Sequence, residues 1–157
     1  MASLANQPKN INYLTGVQFK FELVGYPEVG FFIQTCNLPG LSTQAAQMPF
    51  PRQPGIQKNL GVVEFEMLSI NFLVDEYLEN YTNIWNWLMD KDEENTSAIL
   101  TLLSSHMNPF LEVHFNGVFP IGLSELLFDS TSVEPEYKVA TMTMTYKNYT
   151  IKRLINE

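Results

Sequence analysis

Between Val17 and Leu23 the chain reads Val-Gln-Phe-Lys-Phe-Glu-Leu, with apolar and polar side chains in strict alternation. Successive side chains of a strand point to opposite faces, so this pattern predicts a half-buried strand with Val17, Phe19, Phe21 and Leu23 inward. The same period returns at Leu111, Val113 and Phe115, and again at Ala140, Met142, Met144 and Tyr146 within Lys138 to Lys147. Turn signals punctuate these runs: Gly25-Tyr26-Pro27-Glu28, Leu38-Pro39-Gly40-Leu41 and Asn108-Pro109, with Asn116-Gly117 a strong hairpin signal. Val29 to Cys36 is predicted as a second strand with both faces largely apolar, paired to the first as a hairpin.

Val62 to Val74 is a long strand whose apolar phase shifts. Val63, Phe65 and Met67 occupy odd positions, then Leu68, Ile70, Phe72 and Val74 even ones, which implies a β-bulge or a bend around a barrel corner. The period then becomes helical: Asp75 is a candidate N-cap, Glu76 and Glu79 suit the first turns, and Leu78, Tyr81, Trp85 and Leu88 recur at helical spacing. One amphipathic helix is expected over 76–90, with Trp85 in the core and Trp87, nearly opposite on the wheel, at an interface. Ala98 to Leu103 and Leu126-Leu127-Phe128 are short strand candidates. The expected fold is mainly β, a small antiparallel β-barrel or sandwich of about seven strands with one flanking α-helix.

One long stretch has no period. Ser42 to Gly61 carries Pro49, Pro51 and Pro54 with several Gln, and a loop of that length inside a single domain is usually functional or ordered by a partner. Residues 1–16 are polar and predict an N-terminal arm, residues 17–150 the β domain, and residues 151–157 a polar C-terminal tail. The run Asp90 to Asn95 is an acidic linker.

Apolar residues make up 45% of the 157 and aromatics 13%, enough for a packed core without metal or disulfide staples. Charged residues are only 17%, against roughly 25% in typical soluble domains, a deficit that uncharged polar residues can cover on a monomer and that subunit interfaces also show. The net charge of −8 with scattered basic residues opposes binding to nucleic-acid phosphate or anionic membranes. Cys36 is the single cysteine, so no intrachain disulfide forms and it is expected to be a small core residue. No stretch approaches about 18 apolar residues and the start lacks an apolar run, so neither signal peptide nor membrane anchor is expected, and synthesis in a cytoplasm is. The Asn-x-Ser/Thr matches at Asn80, Asn95 and Asn148 are then fortuitous.

Catalytic constellations are missing. His106 and His114 are the only histidines, and neither has a ligand or base partner at a useful spacing. Asp90, Asp92 and Glu94 alternate as in a calcium loop, but Asn95 and Thr101 stand where that loop needs Gly and Glu. Phosphate-binding, dinucleotide and nucleophile-elbow motifs do not occur. No catalytic residue, cofactor or metal site is expected, and the chain is read as a non-enzyme.

The order of these segments resembles a known family. The pair "QFKFEL" and "GFFIQTCNLPGLS", a proline-bearing loop, "FEMLSINFLVDEYLENYTNIWNWL", "NPFLEVHFNGVFPIGLSELLFD" and a final "VATMTMTYKNYTI" resemble the tail-tube proteins of T-even-like contractile-tailed bacteriophages, over residues 17 to 150. The most specific parts are "CNLPG", the "VDE" strand-to-helix junction and "GVFPIGLSEL". The resemblance implies a virion structural protein: six copies form a ring whose inner sheets close into a channel, and rings stack into a tail tube that conducts DNA during ejection. It implies that the Ser42 to Gly61 loop touches the next ring, with Met48, Phe50 and Arg52 as the contact residues. It also implies partners in neighbouring tail-tube, sheath or baseplate proteins, and a lumen whose acidity lets DNA pass without specific binding. A baseplate tube-initiator or a specialised terminal ring is an alternative within the family. From another class, a monomeric carbohydrate-binding β-sandwich using Trp87 and surface Tyr remains open.

Overall fold

The computed structural model describes residues 13–16, 18–50, 53–90 and 96–154. In chain order these form β1 (Phe19–Leu23), α1 (Pro27–Phe31), β2 (Ile33–Cys36), β3 (Leu41–Phe50), β4 (Gln53–Phe65), β5 (Leu68–Leu73), α2 (Glu79–Met89), β6 (Thr96–Leu103), β7 (Pro109–Leu123), β8 (Val139–Thr145) and β9 (Asn148–Arg153). The mainly β, antiparallel expectation holds, with α2 as the flanking helix and a single additional turn of helix at α1.

The main sheet runs β1-β6-β7-β8-β5-β2, and β9 also pairs with β7. Long β7 organises it. Its first half lies between β6 and β9, and its second half, Phe119 to Leu123, pairs with β8. β8 and β9 therefore continue one another along β7, broken only at Tyr146-Lys147. The alternation predicted for β1, β7 and β8 is the core itself: Phe21, Leu23, Val113, Phe115, Ala140, Met142, Met144 and Tyr146 are buried, and Leu68, Ile70 and Phe72 of β5 join them.

Several expectations are corrected. β1 and β2 do not form a hairpin; β1 pairs with β6 and β2 with β5, because Pro27–Phe31 takes a helical turn that carries the chain away. Asn116-Gly117 is not a hairpin turn. The pairing with β6 slips by one residue there, Ala98 facing Phe115 but Thr96 facing Val118, and Gly117 has φ +65°, so the pair forms a bulge inside continuous β7. That extra residue moves the buried set from Val113 and Phe115 to Val118. Leu126-Leu127-Phe128 lies in an irregular connection rather than a strand, and β9 extends to Arg153, past the boundary drawn at residue 150. Acidic residues 91–95 lie outside the described residues, as do residues 1–12 of the expected arm.

The helix also departs from its expected wheel. α2 starts at Glu79 after Leu78 in a left-handed conformation, and Ile84 and Asn80 form its buried stripe. Trp85, expected in the core, is 49% exposed, whereas Trp87 packs against the core and stacks on Tyr26 at 4.7 Å between ring centroids. Asn80, Ile84 and Trp87 stand at i, i+4 and i+7 on one face of the helix, which carries Trp85 away from the sheet. Asp75 is not the N-cap, a position that Leu78 takes, but its carboxylate still accepts from the first-turn amide of Glu79 at 2.7 Å. No helix among the described residues is long and apolar enough to cross a membrane.

A candidate assembly surface

The long stretch after β2, expected to be an unpatterned loop, is instead a hairpin. β3 and β4 pair from Leu41 opposite Phe65 out to Phe50 opposite Gln53, and form a two-stranded sheet of their own. Two register shifts, between Thr43 and Ala45 and between Met48 and Phe50, explain why no clean period is visible in the sequence. The phase change read across Val62 to Val74 is the point at which one extended run leaves the hairpin and enters the main sheet: β4 ends at Phe65 and β5 begins at Leu68. Consequently Val63, Phe65 and Met67 are exposed while Leu68, Ile70 and Phe72 are buried.

The root of this arm is tightly fixed. Amide Glu66 donates to the Gly40 carbonyl at 3.0 Å, and the Gly40 amide donates back to the Glu66 carboxylate at 3.3 Å. Asn37 works as an inserted rung, its side-chain amide donating to the Met67 carbonyl and its oxygen accepting from the Ser69 amide. Beneath these bonds Phe65, Phe115, Tyr146 and Tyr149 form an aromatic cluster with centroids 5.2 to 5.9 Å apart. Two of its hydroxyls reach the root: Tyr146 donates to the Glu66 carbonyl at 2.7 Å and Tyr149 to the Pro39 carbonyl at 3.1 Å. Burial, with Tyr149 and Glu66 adding to it, pushes the Tyr146 phenol up to about 12.

Beyond its root the arm is unsupported. The described side chains of Leu41 to Gln47 are exposed or half-buried, those of Gly61 to Phe65 exposed, and no third strand joins β3 or β4 among the described residues. An isolated two-stranded hairpin is marginally stable at best in water. The arm thus presents two open strand edges and apolar side chains to whatever it meets.

Other edges differ in how they are guarded. The Val24 amide bonds to Ser97 and the Leu103 amide to Gln18, so even-numbered residues of β1 face β6 and the backbones of Phe19, Phe21 and Leu23 face away. Helix α1 covers that edge, with Gly30 so close that a Cβ there would lie 2.8 Å from the Phe21 carbonyl oxygen. On β9, the Leu154 amide bonds to Phe110, which turns the backbones of Tyr149, Ile151 and Arg153 outward. No other strand joins that edge among the described residues.

Of the residues singled out in the sequence, Met48 and Phe50 lie at the far end of β3, where Met48 faces Ile56 and Phe50 faces Gln53. Arg52 lies outside the described residues. The aromatic root was not anticipated, although Tyr146 and Tyr149, flanking Lys147-Asn148 at the end of the last predicted strand, are its signal in the sequence. Cys36 is half-buried against the core, and burial alone raises its thiol to about 12. His114 contacts the Glu112 carboxylate at 3.0 Å on the half-exposed face of β7. Among the described residues no three His, Cys, Asp or Glu side chains gather as a metal site.

No protein-family model matches the chain, and no curated protein sequence does. Solved structures do. A chain of the anti-feeding prophage cap, which terminates that particle's tube, superposes with a TM-score of 0.71 at 14% identity, covering 98% of this chain and 99% of that one. A chain of the six-fold symmetrised baseplate of the same particle gives 0.71 at 12% identity, over 90% and 96%. A chain of the sheath–tube complex of the PVC extracellular contractile injection system gives 0.68 at 12% identity, over 90% and 93%. This chain has the tube-protein fold of contractile injection systems. The resemblance read from the sequence is thus borne out at the level of fold.

Within the tube-protein fold the two Trp residues acquire ordinary explanations. Trp87 has one face occupied by Tyr26, which removes it as a sugar platform, and Trp85 is isolated from it on the helix. Asn80, a nominal glycosylation acceptor, is buried with its side-chain amide donating to the Leu73 carbonyl at 2.8 Å.

Proposed function

We propose that this chain is a structural, non-enzymatic subunit of a phage-type contractile tail, six copies of which close into a ring, with rings stacking into a tube that conducts DNA. The observation that carries the reading is the β3–β4 arm: anchored at Pro39, Gly40 and Glu66, yet joined by no third strand and with its side chains exposed or half-buried beyond them, among the described residues. A monomeric binding module has no use for such an arm, whereas a subunit that must reach a neighbour does. The segment that carries Met48, Phe50 and Arg52 is assigned to the contact with the next ring. The open backbone edge of β9 is suited to pairing within a ring. The net charge of −8 favours a lumen along which DNA slides without sticking.

The tube domain in this reading runs from residue 17 to the end of β9 at Arg153, with 1–16 as an arm. The assembled protein resides in the virion tail after synthesis in the host bacterial cytoplasm, beside tube, sheath or baseplate proteins. A baseplate or terminal ring is the second reading, supported by fold matches to a baseplate chain and to a cap chain as good as that to the sheath–tube complex. Light scattering and negative-stain imaging of the purified chain across a concentration series test the proposal. Rings or tubes with a central channel are expected, and deletion of residues 44–58 should leave folded rings that no longer stack. Stacks that survive the deletion refute the role given to the arm.

A further inference from the structure

The connection from Ser124 to Lys138 displays more apolar surface than a free-standing protein keeps in one place. Phe128 is 70% exposed and Tyr137 90%, with Leu127 and Val133 exposed beside them. This is not a loose loop. Tyr81 of α2 donates to the Ser124 carbonyl at 2.9 Å, the Thr141 amide donates to the Ser124 hydroxyl at 2.9 Å, and Asp129 accepts from both the amide and the hydroxyl of Thr131. Between this connection and the end of β5 lies a groove of about 520 Å³, lined by apolar Phe32, Leu126 and Phe128 and by the carboxylates of Asp75, Glu76 and Glu136. Lys138 is the one cation in the lining.

An apolar, acidic groove calls for an apolar, basic occupant. Among the described side chains, Lys20 is ion-paired with Glu22, Lys138 already lines the groove, and the Lys147 stem packs against Gly117. What remains is the end of β9 and the residue after it, Ile151-Lys152-Arg153-Leu154, all four exposed, with neither cation ion-paired among the described residues. These residues alternate across both faces of a strand whose outer backbone edge is open, so an inserted edge offers both cations and both apolar side chains to a groove.

We infer that the β9 edge of one copy, through Ile151, Lys152 and Arg153, docks into the Phe128–Glu136 groove of a second copy. The two patches differ, so the contact is head-to-tail, the kind that propagates and closes into a ring. The inference rests on the proposed self-assembly and assigns it a particular contact.

The test uses the full chain in three forms, each first checked for an unchanged fold by circular dichroism: Glu76→Lys with Glu136→Lys, Lys152→Glu with Arg153→Glu, and all four together. Either reversed pair should raise the concentration needed for assembly at least tenfold, the effect shrinking in high salt, and the fourfold swap should restore assembly. A Phe128→Ser chain, whose charges are untouched, should be weakened at all salt concentrations. Rings that form equally well with either pair reversed would assign the groove to a different protein and overturn this inference while leaving the ring reading intact. Weakening without restoration in the fourfold swap overturns the pairing of these two patches. A chain that stays monomeric at every concentration overturns both readings.

Discussion

The Tyr146 hydroxyl donates to the Glu66 carbonyl at 2.7 Å, joining the end of the last core strand to the residue at which the β3–β4 arm leaves the sheet. A residue 80 positions away in sequence thereby helps set the direction of the arm. Replacing Tyr146 with Phe keeps the ring and loses the bond, which should cost about 1 kcal/mol. The Glu66 and Gly40 amides should exchange with solvent faster in this variant, and hydrogen exchange would show it. Unchanged protection at both would mean that the root is held by its backbone bonds alone.

Alkaline pH should loosen the same region. The Tyr146 phenol ordinarily titrates near 10 and is raised to about 12 in the fold, and the Cys36 thiol is raised from 9 to about 12. Over that window the folded chain holds protons that the unfolded chain has released, so stability falls as pH rises. Their contribution is fully present below about pH 9 and is lost progressively towards pH 12. Thermal melting between pH 8 and 12 checks it, and Cys36→Ala should flatten the early part of the decline.

Asn80 is the buried polar residue of the core, and its bonds are complete. Its oxygen accepts from the Asp75 and Tyr81 amides at 3.3 and 2.8 Å while its amide donates to Leu73. Asn80→Ala strands three backbone groups at the β5–α2 junction and should cost roughly 2–4 kcal/mol. Denaturant unfolding measures it. Asn80→Asp, which retains the acceptor but not the donor, should fall between the two.

The two tryptophans should respond oppositely to the assignment by helical wheel. Trp87→Ala removes a ring stacked on Tyr26 and packed against the core, and should cost about 2–3 kcal/mol. Trp85→Ala, at an exposed position, should stay within about 0.5 kcal/mol in the subunit. Equal losses would contradict the orientation of α2.

Gly30→Ala should destabilise the fold and expose the outer edge of β1. The added methyl would meet the Phe21 carbonyl oxygen at 2.8 Å, and the atoms it meets in Phe21 and Glu22 are all backbone, so α1 must move. A loss of roughly 1–3 kcal/mol is expected, with aggregation rising as the uncovered edge finds partners. Melting and turbidity measurements follow the two effects separately.

The residues themselves determined the core: alternation at β1, β7 and β8 depends only on the two-residue period of a strand, and the buried faces of those strands are where that period puts them. The break between Phe65 and Leu68 was legible for the same reason, as a change of apolar phase. Which strand pairs with which was decided by tertiary structure alone. β1 meets β6 across about 80 intervening residues, and the helical turn at Pro27–Phe31 that prevents the local hairpin carries only a weak signal. The arm was hidden for a related reason. Two register shifts erase its period, and most of its described side chains are exposed, so no core imposes a pattern on it. A segment with no core against it carries no intramolecular packing signature, and only the three-dimensional fold shows that its root is fixed at Pro39, Gly40 and Glu66 while its described side chains stay exposed or half-buried.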